Sequence, residues 1–142
     1  HPDYVDRAKQ PVELTNVGCH FKPRIVTLMT QQPLVLKNDD DIVHNMFAGP
    51  LYNDAFNLSF GSKTKEQVVF KKSESKPFPM KCSIHAWMTG FVIVKDHPYA
   101  TVSDEAGQFE LRLLPTGTLT FTFWHERAGF LKTLTINNTL PL

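Results

Sequence analysis

Short runs of alternating apolar and polar residues, each closed by Pro, Gly or a polar cluster, recur along the chain, and no long stretch sets apolar residues at helical spacing. A chain so patterned buries its apolar side chains by pairing strands and stacking sheets, so the expectation is an all-β fold. Val12-Glu13-Leu14-Thr15, Cys19-His20-Phe21, Arg24 to Leu28, Pro33 to Asn38, Ile42 to Phe47, Glu66 to Phe70 and Phe91 to Val94 read as strands. In this reading Cys19 and Phe21 point inward together, and His44 stands at or near a strand end. Pro77 to Cys82 is an extended approach to a short loop, Ser83 to Thr89. Residues 50–64 read as a long irregular connection, Lys71 to Lys76 as a solvated turn, and Asp39 to Asp41 as a second solvated turn with the alternative of a hard-cation site.

With 142 residues the chain has room for one domain with a real core plus an appendage. Residues 1–10 are polar and aperiodic and read as a tail or edge segment; residues 11–95 hold the strand pattern. From 96 to 142 the grammar is that of β-hairpins: Ala100 to Ser103 and Gln108 to Leu111 about the turn Asp104 to Gly107, then Thr118 to His125 and Phe130 to Asn137. These hairpins are expected to pack on the main domain as an extension.

A formal charge of +1 gives no reason for a polyanionic partner, which sets nucleic acid aside. The longest apolar run, Gly90 to Val94, is far below the roughly 20 residues of a bilayer span. A start at His1-Pro2-Asp3 fits a processed mature chain or a trimmed one; the first implies an exported protein, periplasmic or secreted.

The chemistry concentrates in Cys82, His85 and Met88, each three residues from the next. One loop can fold a thiolate, an imidazole and a thioether onto a common point, and His44, from a strand upstream, would complete a set of two His, one Cys and one Met. Soft sulfur suits Cu(I), imidazole tolerates both oxidation states and a weak axial thioether tunes the potential, so this set points to one copper per chain and one-electron chemistry. The competing reading, three side chains on one helical face, is limited by Gly90 and the β-branched run behind it, which leave room for barely two turns.

Cys82-x-x-His85-x-x-Met88 followed by an apolar strand resembles the short ligand loop of amicyanin. Phe21-x-Pro23, Leu34 to Asn38 and His44-Asn45 resemble the plastocyanin and pseudoazurin group. These are cupredoxins, and the resemblance runs from about Pro11 to Lys95. It implies an eight-stranded Greek-key sandwich with copper at one end, His85 as the ligand nearest solvent, and Asn45 tying the two ligand loops by hydrogen bonds. Ala86 stands where amicyanin has proline, and Trp87 is bulky. Residues from about 96 to 128 resemble half of a carboxypeptidase regulatory-type β-sandwich, a resemblance that implies no catalytic activity.

The expectation is therefore an electron-transfer protein rather than an enzyme, exchanging single electrons with redox protein partners through a docking patch of Met46, Phe47, Ala86 and Trp87 around His85. The alternatives are a copper carrier or sensor, or a site altered by Cys19, through a disulfide with Cys82 or as an extra copper ligand. A copper site at His1 with His20, His97 or His125 is the remaining variant; His97 and His125 read more simply as turn and strand-end residues.

Overall fold

A computed structural model describes residues 2–139. Its chain divides into two units, residues 1–102 and 103–142. The first is a two-sheet β-sandwich. One sheet orders its strands β2 (Phe21–Lys22), β1 (Val12–Asn16), β4 (Pro33–Asn38) and β7 (Lys65–Val69). The other runs β3 (Ile25–Met29), β9 (Thr89–Lys95), β8 (Phe78–Lys81), β5 (His44–Ala48) and β6 (Phe56–Phe60). The β1–β4 and β3–β9 pairs are parallel and the rest antiparallel. The all-β sandwich read from the sequence is thus the fold observed.

Alternation explains the core. Along β4, Leu34, Leu36 and Asn38 face inward with no exposure, and along β9 Gly90 is buried and Val92 and Val94 are fully so. They meet Leu14, Met46, Phe60 and Met80 between the sheets. Gly90 is required there: a Cβ on it would stand 2.9 Å from the Arg24 carbonyl oxygen and 3.3 Å from the Phe21 Cβ. Asn38, an amide among apolar side chains, is satisfied. Its Nδ2 donates to the carbonyls of Ile42, Phe60 and Gly61, and its Oδ1 accepts from Asp40 N–H. One inward residue of β4 therefore shapes the acidic turn that follows.

The structure departs from the sequence reading in several places. Residues 2–7 form a short helix, α1 (Pro2–Arg7), where a tail or edge segment was expected; Tyr4 is buried and packs edge-on against Tyr99. Cys19 is not in a strand: residues 17–20 turn, with mutual backbone bonds between Val17 and His20, and Cys19 takes a left-handed φ of 57°. The connection 50–64 contains β6, whose Phe56, Leu58 and Phe60 line one face opposite β5. Lys71 to Lys76 is not wholly solvated, because Glu74 is buried; its carboxylate accepts from the N–H groups of Leu51 and Tyr52 and from Asn53 Nδ2. Finally, the hairpin expected over residues 100–111 forms no strands. Only its turn is built, with the Asp104 carboxylate accepting from Ala106 and Gln108 N–H.

The second unit holds one hairpin, β10 (Gly117–His125) paired antiparallel with β11 (Gly129–Asn138), with a register shift at Phe123/Trp124. No helix among the described residues is long and apolar enough to cross a membrane.

Candidate metal centre

Three donor side chains converge at one end of the sandwich. His44 opens β5 and is fully buried; Cys82, just past β8, is 3% exposed; His85 lies in the loop to β9 and is half-buried. Their donor atoms all lie within 4.8 Å of one another. Cys82 Sγ stands 3.9 Å from His44 Nδ1 and 3.8 Å from His85 Nδ1, and the two Nδ1 atoms are 3.0 Å apart.

These distances suit a metal ion. Bonds of about 2.0–2.1 Å to imidazole nitrogen and about 2.3 Å to thiolate place trigonal N and S donors about 3.8 Å apart, and two nitrogens about 3.5 Å apart. Both N–S separations match, and the N–N pair is tighter. A His₂Cys set has the softness and geometry that copper prefers.

The loop holds itself in shape. Cys82 N–H donates to the Met88 carbonyl (3.2 Å), Met88 N–H to the His85 carbonyl (2.9 Å), and His85 N–H to Cys82 Sγ (3.4 Å). Met88 is 1% exposed, so its thioether is confined to the interior at the same loop. Asn45 spans the two ligand segments: its Oδ1 accepts from the N–H of Ser83 (2.6 Å) and Ile84 (3.3 Å), and its Nδ2 donates to Asn57 Oδ1 and Ser83 Oγ. The same Oδ1 lies 3.4 Å from Cys82 Sγ.

Sequence reasoning overlooked Asp40. Its Oδ2 lies 2.9 Å from His44 Nε2 and also accepts from Cys19 N–H (2.9 Å), while Oδ1 accepts from Gly18 N–H (2.6 Å). Burial pushes the carboxyl pKa up, but the Cys19 and Gly18 amides and the His44 ring outweigh it and leave the group below the ordinary Asp value. The only sequence signal was three consecutive aspartates. Their neighbours differ: Asp39 accepts from Thr15 Oγ1 and Asp41 pairs with Lys63.

Other sequence candidates fall into place around the centre. Both cysteines are free thiols. Cys19 is half-buried, its Sγ forms a second tight donor group with Asp40 and His44, and its carbonyl accepts from Trp87 Nε1–H (3.2 Å). His20 Nδ1 is bonded at the turn carbonyl of Gly18, and His97 stacks on Tyr99. His125 ends β10 and its Nδ1 accepts from Arg127 N–H; His1 lies outside the described residues. Of the expected patch, Phe47, Ala86 and Trp87 are exposed, Trp87 at 64% with its ring edge-on to His85. Met46 does not belong there: the β5 alternation turns it into the core with no exposure, so it cannot meet a partner.

No family model and no curated protein matches the chain. Solved structures do. The chain is similar to a Cu-containing nitrite reductase (NirK) from Thermus scotoductus SA-01, at 21% identity and a TM-score of 0.53 over 59% of this chain and only 22% of that one. A purple cupredoxin from Nitrosopumilus maritimus matches at 19% identity and a TM-score of 0.50, over 59% of this chain and 99% of that one. Amicyanin from Paracoccus versutus matches at 19% identity and a TM-score of 0.53, over 60% and 81%. At such identities the likeness speaks for the fold, and the fold of residues in this match is that of the cupredoxins.

Proposed function

We propose that the chain is an electron-transfer protein that binds one copper ion through His44, Cys82, His85 and Met88 and exchanges single electrons with redox protein partners. The observation that carries this reading is the convergence of two Nδ1 atoms and one buried thiol at mutual distances that suit a trigonal metal. Copper, when bound, supplies a Cu(II)/Cu(I) couple, and the two His, Cys and Met donors serve both states. The remainder is the work of the protein. Buried His44, Cys82 and Met88 exclude water, and the Asn45 bonds with the backbone-closed loop hold the donors in place, so little rearrangement accompanies a change of charge. His85 is the most exposed of the four and offers the shortest way out, flanked by the exposed Ile84, Ala86 and Trp87. An apolar rim of this kind suits brief docking, where weak contact allows fast release. The reading implies an exported location, periplasmic or secreted, where such partners are met.

Voltammetry of the copper-loaded protein tests the proposal against a role as copper carrier. A reversible one-electron wave, with the metal retained through many cycles, is expected. Release of copper on reduction would make the metal cargo and overturn the electron-transfer reading.

A further inference from the structure

We propose that Asp40 is a positioning residue for His44: its carboxylate holds the imidazole with the proton on Nε2 and, as a fixed negative charge behind that ring, favours the cupric over the cuprous state. The inference rests on the copper reading and adds a determinant of potential that lies outside the donor set.

A carboxylate only accepts hydrogen bonds, so the 2.9 Å contact places the proton on His44 Nε2. The lone pair is then on Nδ1, the atom that faces Cys82 Sγ and His85. Asp40 is not a swinging surface acid. Its two oxygens are clamped by the Gly18 and Cys19 amides, and its own N–H is held by Asn38, a fully buried side chain with four bonds. Neither nearby lysine is bonded to Asp40: Lys63 is engaged by the Asp39 carbonyl and the Asp41 carboxylate, and Lys37 pairs with Glu13. The Asp40 charge is thus directed at the imidazole. A carboxylate on the far nitrogen of a ligating histidine fixes its tautomer and raises its basicity, which stabilises the more highly charged metal ion. Cys19, Asp40 and His44 also form a compact donor group of their own. A second metal held there would have to displace the Nε2 proton, which is why the two uses of this cluster exclude each other.

The experiment compares copper-loaded wild type, Asp40→Asn and Asp41→Asn by redox titration. Asp41→Asn removes the same formal charge from the same turn without touching His44. Loss of such an outer partner changes metal affinity by about tenfold at the lower end, and if Cu(II) bears that change the potential of Asp40→Asn rises by about 59 mV. Asp41→Asn should stay near wild type. Equal potentials in Asp40→Asn and wild type, or an equal rise in both variants, would overturn the proposal. So would a second equivalent of copper whose binding disappears in Cys19→Ser. Nitrogen-15 NMR of the copper-free wild type gives an independent readout: His44 is expected as a single Nε2–H tautomer, and an Nδ1–H form would refute the assignment even if Asp40→Asn failed to fold. Should the wild type bind no copper, the copper reading fails by itself, and the tautomer still decides whether Asp40 positions His44.

Discussion

The sandwich and the C-terminal hairpin are written in the same alternating grammar, yet only the sandwich turns alternation into burial. In β9 each second residue is buried, whereas in β10 Leu119, Phe121 and Phe123 are half-buried and in β11 Phe130, Leu131 and Leu134 are exposed. Alternation specifies a strand, but a core needs a second sheet laid over the first. The candidate metal centre draws on that difference. Its donors come from segments that flank β5, β8 and β9, all central or near-central strands of one sheet, and their rigidity is inherited from the packing beneath.

Matched truncations would sharpen the contrast. Phe60→Ala, at a fully buried ring, is expected to cost about 3–5 kcal/mol in urea unfolding. Phe130→Ala, at a ring 56% exposed, should fall within about 0.5 kcal/mol. Comparable losses at the two sites would break the comparison. A smaller effect is expected from ending the chain at Val102. Every residue of the buried apolar cluster lies before that point, so the urea midpoint of the sandwich should hardly move. A large fall would mean that the sandwich depends on residues 103–142 for its stability.

The same contrast explains what could be read from the sequence. β3, β4 and β9 were legible because short runs of β-branched residues and leucine stand between clear breakers. Phe56-Asn57-Leu58-Ser59-Phe60 alternates strictly, but its polar half blends into the Asn, Gly and Ser around it, and the strand was lost in composition. Six residues of α1 are too few to show a helical period. Cys19 was misplaced because alternation says nothing of a residue with φ at 57°. Around the centre, Cys82, His85, Met88 and His44 stood out by chemical type and spacing. Asp40 and Glu74 did not, since a carboxylate in a polar run looks solvated until its partners, 4 and 21 to 23 residues away, are known. Met46 shows the converse: closeness in sequence to a candidate ligand does not expose a side chain, and strand parity turns this one inward.

If Cys82 binds copper as a thiolate, the visible and EPR spectra of protein loaded with one equivalent of Cu(II) will show it, with Cys82→Ser and Cys19→Ser measured alongside. An intense thiolate-to-copper band is expected, surviving Cys19→Ser and vanishing in Cys82→Ser. A pale wild-type spectrum without that band, or a band that persists without Cys82, would contradict thiolate binding by Cys82.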